Sequence, residues 1–256
     1  MKSSTQDLRK RGMADTGDIN RFIELQEQEL LELLHSDMAV CRTAAVRILT
    51  GRGLIGSPDF VGRLLERLKV EKCLYTRLAI CEALETGDSG TAALMVPYLG
   101  CIGNNRHSSL PDRVSLKVSY PCARDIIARS LAKMNPSVLP VLIEVLYGKD
   151  TDRISEVLDA IGSIVFYHQN IMNRELFGHI SATMDTYTGD PVIIWKCVLC
   201  LSAFPLTDSI RILDHILESD YPAVIKKEAE RSLKAIGKRS AGNETFRAWN
   251  SPLSAG

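Results

Sequence analysis

EKCLYTRLAICEALETG (71–87) is one of five segments that share a layout, and this layout decides the fold. Each segment opens on an acid, continues to a basic residue and closes on small and large apolar residues. Units of two helices that recur at intervals of roughly 30 to 47 residues predict a helical solenoid, in which each unit contacts only its neighbours. The other four segments are DMAVCRTAAVRILTG (37–51), DPVIIWKCVLCLSAF (190–204), DYPAVIKKEAERSLKAIG (220–237) and, less clearly, DTDRISEVLDAIG (150–162).

A further set of segments predicts the first helix of each pair. Ser57-Pro58 and Asn135-Pro136 place a capping side chain before a proline at the first helical position. Gly87 stands where a helix end favours a left-handed residue. Six pairs of helices predict an all-α fold, a right-handed α-α superhelix of about six pairs. The predicted first helices span 19–35, 58–69, 89–100, 136–147, 172–187 and 207–218.

The acids and bases of the repeat are regularly spaced. An acid just before a helix can accept hydrogen bonds from the open amides of its N-terminus. A basic residue one to two turns later can reach the acid of an adjacent unit, which predicts a ladder of paired charges along the stack. The pairs six residues apart are Glu71 and Arg77, Asp190 and Lys196, and Asp220 and Lys226, while Asp37 and Arg42 are five apart.

The whole pattern resembles HEAT-type repeats, including the variant found in phycobilisome lyases and related proteins. The resemblance covers roughly residues 18–238 and implies one solenoid domain whose second helices line a concave surface. Segments 1–17 and 239–256 are rich in Ser, Gly, Ala and charge, and predict flexible ends. HEAT-type repeats serve many unrelated functions, so their motifs specify the fold far better than the activity.

Composition places the chain among ordinary soluble proteins. Its 256 residues are 45% hydrophobic and 24% charged. No apolar run approaches the roughly 20 residues that span a bilayer. The N-terminal stretch MKSSTQDLRKRG lacks the apolar core of a signal peptide. We therefore expect a cytoplasmic protein with no membrane association.

The charge is balanced overall and unevenly distributed. The chain has 31 basic and 31 acidic residues, whereas a dedicated nucleic-acid binder normally shows a basic excess. Residues 18–37 carry six acids against one base, and residues 104–133 carry six bases against two acids. A neutral total thus combines an acidic end with a basic middle.

The third repeat contains an insertion at residues 101–121, CIGNNRHSSLPDRVSLKVSYP. The basic marker residue moves 35 positions from Arg42 to Arg77 and then 47 positions to Arg124. Connections inside helical pairs usually have about 2–8 residues, and longer ones tend to be functional or disordered. The position six before Arg124 is Val118 instead of an acid, so we expect Arg124 to lack a ladder partner and to be available for a ligand.

Polar side chains of the insertion, together with its neighbouring arginines, are the candidate binding site. A free arginine beside a basic loop can bind a carboxylate or a phosphate through two hydrogen bonds. The alternative is a solvated surface insertion, which a fold tolerates at small entropic cost. The candidate binding residues are Arg77, Asn104, Asn105, Arg106, His107, Arg113, Lys117 and Arg124.

Sequence signatures of catalysis, cofactors and metals are largely missing. The odd number of cysteines, seven, argues against a disulfide framework. Cys197 and Cys200 form a CxxC inside an apolar helix, where packing in the core is the expected role, and no second pair completes a zinc site. None of the five histidines precedes a Glu, which excludes the His-Glu di-iron site of deoxyhypusine hydroxylases, another HEAT-repeat family. We expect no metal and no cofactor.

Three other functions remain open beside a binding role. DNA glycosylases of the HEAT-like class resemble this architecture, and Trp195 with Asp190 could hold an alkylated base, although neutral charge and few aromatics disfavour this. A bilin lyase or chaperone is suggested by the repeat resemblance alone. General nucleic-acid binding is allowed by the basic middle and disfavoured by the net charge.

The sequence favours a non-catalytic scaffold or adaptor that binds another protein on its concave face. The basic middle of the groove suits an acidic or phosphorylated segment of the partner. We expect the chain itself to be a monomer or a weak homo-oligomer.

Overall fold

The computed structural model describes residues 4–117 and 119–240, and these residues are all-helical, with no strand among them. Four short 3₁₀ turns at 54–56, 96–98, 136–138 and 169–171 supplement fourteen α-helices in this part of the chain. None of the described helices is long and apolar enough to cross a membrane. The helices are α1 Thr5–Lys10, α2 Thr16–Phe22, α3 Glu27–Leu33, α4 Ala39–Gly51, α5 Pro58–Val70, α6 Leu74–Glu85, α7 Ser89–Met95, α8 Ile126–Leu131, α9 Leu139–Leu146, α10 Thr151–Tyr167, α11 Arg174–Thr186, α12 Pro191–Leu201, α13 Thr207–Glu218 and α14 Ala223–Ser240.

The helices contact one another in two successions. Within pairs, α3 contacts α4, α5 contacts α6, and the same holds for α7 with α8, α9 with α10, α11 with α12 and α13 with α14. The second helices of these pairs, α4, α6, α8, α10, α12 and α14, contact one another in that order. First helices α5, α7, α9 and α11 do the same. The second helices therefore form one row and the first helices another, with the apolar core between them.

The second helices are the more deeply buried row. In α12 every residue from 193 to 201 is buried. First helices such as α5 bury one face only, through Phe60, Leu64 and Leu68, and each such side chain contributes roughly 1.5–3 kcal/mol when fully removed from water. A polar side chain on a second helix is consequently desolvated and needs a partner.

Residues 4–17, which the sequence predicts to be flexible, include helix α1 and contact α4 and α6 in the structure. The Arg9 guanidinium forms a bidentate ion pair with Asp18, with both N–O distances 2.7 Å. Gly12 adopts a positive φ of 91°, and a Cβ there would lie 2.6 Å from Thr76 Oγ1 on α6. The close approach that Gly12 permits lets the segment rest on α6, an interaction that composition does not reveal. Residues 241–256, including the predicted tail residue Trp249, lie outside the described residues.

A charge ladder of the predicted kind joins the first two pairs. Arg42 on α4 forms a buried bidentate ion pair with Glu71, at 2.8 and 2.9 Å. Arg67 Nε and the Cys73 backbone N–H donate to the same carboxylate at 2.9 and 2.8 Å. Burial raises the pKa of Glu71, but the hydrogen bonds from Arg42, Cys73 and Arg67 outweigh it and lower the pKa to about 2.

The position of the marker base differs from the sequence alignment in the third pair. In the structure the marker arginine donates to the backbone carbonyl six residues earlier. Arg124 does not occupy this position, because it precedes Asp125, the N-cap of α8. The equivalent residue is Arg129, five residues later. The three donor and acceptor pairs are Arg42 to Ser36, Arg77 to Glu71 and Arg129 to Ala123.

Replacing Glu71 by glutamine leaves the buried Arg42 without a counter-charge, and we expect the free energy of unfolding at pH 7 to fall by about 3 kcal/mol or more. The folded pKa of Glu71 is depressed, so this stabilisation is present above the unfolded pKa, near 4.5, and is lost as the pH falls toward 2. Urea titrations at several pH values should therefore show the difference between wild type and Glu71→Gln narrowing in acid.

The matched control is Asp59→Asn, which removes one carboxylate from an exposed ion pair with Arg63. Exposed pairs contribute roughly 0–1 kcal/mol. A Glu71→Gln protein no less stable than the Asp59→Asn protein would contradict a structural role for the buried pair.

Candidate functional site

The insertion packs against the row of second helices. Arg106 Nη1 lies 2.8 Å from Asp152 Oδ2 on α10 and donates to the Gly100 carbonyl at 2.7 Å. The His107 ring meets the Trp195 ring of α12 edge-on, with centroids 4.8 Å apart. These contacts place the polar residues of the insertion directly over α10 and α12.

The end of the insertion is fixed to α10 and α14. The buried Tyr120 ring packs against Phe166, with centroids 5.6 Å apart, and any Cβ at Gly162 would collide with the Tyr120 hydroxyl. The Ser119 carbonyl accepts a hydrogen bond from Arg231 on α14 at 3.0 Å. Gly162 therefore provides the space that lets the insertion approach the helix backbone.

A lysine is buried under the insertion. Lys196, 1% exposed, donates a hydrogen bond to Asp159 and lies 3.8 Å from a Glu156 oxygen. Glu156 and Asp159 are three residues apart on α10, which puts both carboxyls on one face. Burial raises the pKa of Glu156 to about 7; the Lys196 charge opposes this shift and the Asp159 charge adds to it.

A second buried carboxylate lies beside this cluster, on α14. Glu228 accepts hydrogen bonds from Trp195 Nε1 at 3.3 Å and from Arg231 Nη1 at 2.8 Å. Burial raises the pKa of Glu228, and the charge of Arg231 opposes the shift. The indole ring is therefore held by a hydrogen bond on one side and by His107 on the other.

The inner pocket is a cavity of about 250 Å³ between the insertion and helices α12 and α14. Its polar lining comes partly from the insertion and partly from buried acids. Burial and, to a smaller extent, the positive charges of Lys196 and Arg124 together lower the pKa of His107 to about 4. His107 is therefore neutral at pH 7. The residues that define the pocket are His107, Arg113, Arg124, Asp159, Trp195, Leu199 and Glu228.

The outer groove is a depression of about 260 Å³ between α6 and α8, next to the inner pocket. Two leucines in it, Leu74 and Leu78, are 40% and 45% exposed. Arg124 lines both the groove and the pocket, so the two form one continuous surface. The groove is defined by Leu74, Arg77, Leu78, Glu85, Asn105, Arg124, Arg129 and Lys133, four bases against one acid.

A third cavity, the side pocket, is also lined by His107 and measures about 670 Å³. Asp190 lines it, and its carboxylate caps α12 by accepting from the amides of Val192 and Ile193 at 2.9 and 3.1 Å. Trp195 lines the inner pocket instead. The two residues weighed for holding an alkylated base thus line different cavities.

The structure brings most, but not all, of the predicted site residues together. Arg77, Asn105 and Arg124 line the outer groove, and His107, Arg113 and Arg124 line the inner pocket. Arg106 instead forms an ion pair with Asp152, which holds the insertion against α10. Asn104 and Lys117 are exposed and line neither cavity. Val118, from which the sequence argument inferred a missing partner, lies outside the described residues.

The buried polar residues of the site were missed by sequence reasoning. Glu156, Asp159 and Glu228 belong to no motif that the sequence singles out, and Lys196 was assigned only to the ladder. One signal could have found them, since Lys196 is the sole charge in IIWKCVLCLSAF (193–204). A lysine in a buried helix requires carboxylates on the helices that pack beside it.

The cysteines do not add chemistry to this site. Cys197 and Cys200 are free and buried, as predicted, and burial raises the pKa of both thiols. Over residues 4–117 and 119–240, no group of three or more His, Cys, Asp or Glu side chains is arranged to hold a metal ion.

Replacing Gly162 by alanine should displace the Tyr120 side chain from its packed position, because the added Cβ overlaps the phenol ring. We expect a loss of about 1–3 kcal/mol, as for overpacked cores, and faster tryptic cleavage after Arg113 and Lys117. The control is Gly178→Ala in α11, where nothing lies within 4 Å of the new Cβ; it should be neutral or stabilising by up to about 1 kcal/mol. Equal cleavage of both variants would disprove the anchoring role.

Replacing Glu156 by glutamine should change how stability depends on pH. The folded pKa of Glu156 is raised to about 7 from 4.5. The protonated Glu156 side chain therefore contributes its full stabilisation below pH 4.5. As the pH rises through 7, the free energy of unfolding of the wild type falls by on the order of 3 kcal/mol relative to that of the variant.

Thermal unfolding of wild type and Glu156→Gln at pH 5 and pH 8 measures this difference. The opposite contribution of His107 is present in both proteins and cancels. Glu144→Gln on the exposed face of α9 controls for the loss of one carboxylate. A wild type that gained stability over Glu156→Gln at pH 8 would refute the assignment.

Comparison with known proteins gives little support for any relationship. No protein-family model matches the chain, and none of the curated proteins matches it. One solved structure that does match is the crystal structure of an engineered protein, at 17% sequence identity with a TM-score of 0.36. The match covers 83% of this chain and 99% of that chain. A similarity this low supports no conclusion about fold or function.

Proposed function

We propose that this chain is a non-catalytic adaptor that binds another protein through the outer groove. The observation that carries the proposal is the pairing of exposed leucines with unbalanced positive charge. Leu74 and Leu78 expose apolar surface between Arg77 and Arg124. A patch in which apolar side chains are rimmed by charge is typical of protein interaction sites.

The architecture we propose is a HEAT-like right-handed superhelix of six helix pairs, with the second helices on the concave side. Support comes from the succession of contacts, in which each second helix contacts the second helices of the neighbouring pairs. The outer groove lies between two of these helices, α6 and α8. Solenoids of this kind typically bind partners along such an extended inner surface.

The partner segment has a definable chemistry. Arg77 and Arg129 each donate to a backbone carbonyl, and a guanidinium has further N–H donors for a ligand. Within the described chain the Arg124 side chain forms no hydrogen bond or ion pair. All of its guanidinium N–H groups are therefore available to a carboxylate or phosphate. An amphipathic segment with apolar residues and acidic or phosphorylated side chains therefore fits the groove best.

Affinity capture from native lysate with mass spectrometry tests this function. The groove variant is Leu78→Gln with Arg124→Glu, since both side chains are exposed and neither makes a hydrogen bond that the fold needs. The matched control is Val70→Gln with Arg63→Glu on α5, which makes the same changes in the other row of helices. We expect a protein that wild type and control recover and that the groove variant recovers at least about tenfold less, a loss of 1.4 kcal/mol.

Circular dichroism should first confirm that both variants fold. A photo-crosslinker at Leu78 should then label an acidic or phosphorylated segment of the recovered protein. Equal recovery by the groove variant and the control, or no specific protein in any sample, would refute an adaptor function at this groove.

A further inference from the structure

The inner pocket is acidic at its buried floor and basic at its exposed mouth. Asp159 and Glu228 form the floor and are both buried. Arg113 and Arg124 stand at the mouth and are exposed. Neither guanidinium forms an ion pair or hydrogen bond within the part of the chain that the structure describes. A ligand that fits this gradient carries a positive end inward and a negative end outward.

Around the pocket the buried carboxyl residues outnumber the buried cations. Two of the carboxyl groups also have oxygens without a hydrogen-bond partner among the described residues: Oδ1 of Asp159 and both oxygens of Glu156. Buried acceptors of this kind are costly unless a donor reaches them. The buried carboxyl residues are Asp125, Glu156, Asp159 and Glu228, whereas the buried or nearly buried cations are Lys196 and Arg231.

Size and wall chemistry narrow the ligand further. At about 250 Å³ the pocket is smaller than the roughly 300–1,000 Å³ of cavities that hold drug-sized molecules. Trp195, Leu199 and Pro121 supply apolar walls between the acidic floor and the basic mouth. The occupant is therefore a small molecule with a short apolar stem between two opposite charges.

We propose that the inner pocket binds an amino-acid-sized zwitterion, with its ammonium group facing Asp159 and its carboxylate facing Arg113 and Arg124. The ammonium offsets the excess of buried carboxyl groups, of which Asp159 and Glu228 line the pocket. The carboxylate accepts from guanidinium groups, a strong charge-assisted contact. This binding goes beyond the adaptor function and does not require a protein partner.

Ligand binding at Asp159 is coupled to a proton on Glu156. The groups that face Glu156 are Lys196, Asp159, Asp125 and Arg106. An added ammonium group offsets the negative charge of the two aspartates and favours the ionised form of Glu156. Because the pKa of Glu156 in the free protein is about 7, binding releases a proton and the affinity rises between pH 6 and pH 8.

The first experiment is a binding screen with each of the twenty protein amino acids as the probe, at about 10 mM so that affinities in the millimolar range are detected. The full-length chain carries Trp249→Phe, which leaves Trp195 as its single tryptophan. We expect at least one amino acid to change the emission and the indole N–H resonance of Trp195 in a saturable manner. No saturable change with any of the twenty would overturn the proposal.

Chemical dissection of the probe tests the two-ended recognition. For an amino acid that binds, its N-acetyl derivative loses the ammonium and its amide loses the carboxylate. Each should bind at least about tenfold more weakly, a difference of 1.4 kcal/mol. Equal binding of the N-acetyl derivative would overturn the role of Asp159, and equal binding of the amide would overturn the role of the arginines.

Variants locate the site independently of the probe. Glu156→Gln should abolish the rise in affinity between pH 6 and pH 8. Arg113→Gln and Asp159→Asn should each weaken binding at least about tenfold. Asp159 holds Lys196, so this variant needs a folding check, whereas Arg113 is exposed and its variant keeps the test valid. Arg63→Gln on α5 is the matched control, and an effect equal to that of Arg113→Gln would overturn the proposal.

Failure of the proposed zwitterion site can be distinguished from failure of the adaptor function. Recovery of a partner in the capture experiment depends on Leu78 and Arg124, and Arg113→Gln should leave that recovery intact. If the protein captures its partner but binds none of the twenty amino acids, the adaptor function stands and the zwitterion site in the inner pocket is refuted.

Discussion

Charges buried between successive helix pairs are the interaction on which the register of this structure depends. Arg42 meets Glu71 between the first two pairs, and Lys196 meets Asp159 between the fourth and fifth. A side chain desolvated in this way is tolerated only when its partner stands within hydrogen-bond reach. Sliding one helix by a turn along its neighbour would leave both charges unpaired, so these contacts allow one alignment of the row.

The sequence predicted the helices where local signals determine them. Segments 58–69 and 207–218 correspond closely to α5 and α13, because a proline start or a strong amphipathic pattern sets their limits. The prediction over 19–35 failed to separate α2 from α3, since Glu29 caps the amide of Gln26 and starts a new helix there. The marker arginine of the third pair was also misidentified as Arg124 instead of Arg129, because its carbonyl acceptor cannot be read from the sequence.

The candidate site, too, could be predicted only where local sequence signals determine it. The positions of Arg77 and Arg124 in the repeat follow from sequence spacing, so the sequence could nominate both residues for the groove. The partners of the insertion could not be predicted, because contacts such as His107 with Trp195 join distant positions of the chain. The one local anomaly was Lys196, whose charge in an apolar helix implied buried acids but did not say which helix carries them.

The bond between the Ser119 carbonyl and Arg231 joins positions 112 residues apart and links the third helix pair to the sixth. A linear array in which units touch only their neighbours can fray from its ends and form piecemeal. Here the insertion spans three interfaces at once, so the last three pairs are expected to open together as one cooperative block. The same link lengthens the average sequence separation of contacts, and chains with such topology fold more slowly than simple helical arrays.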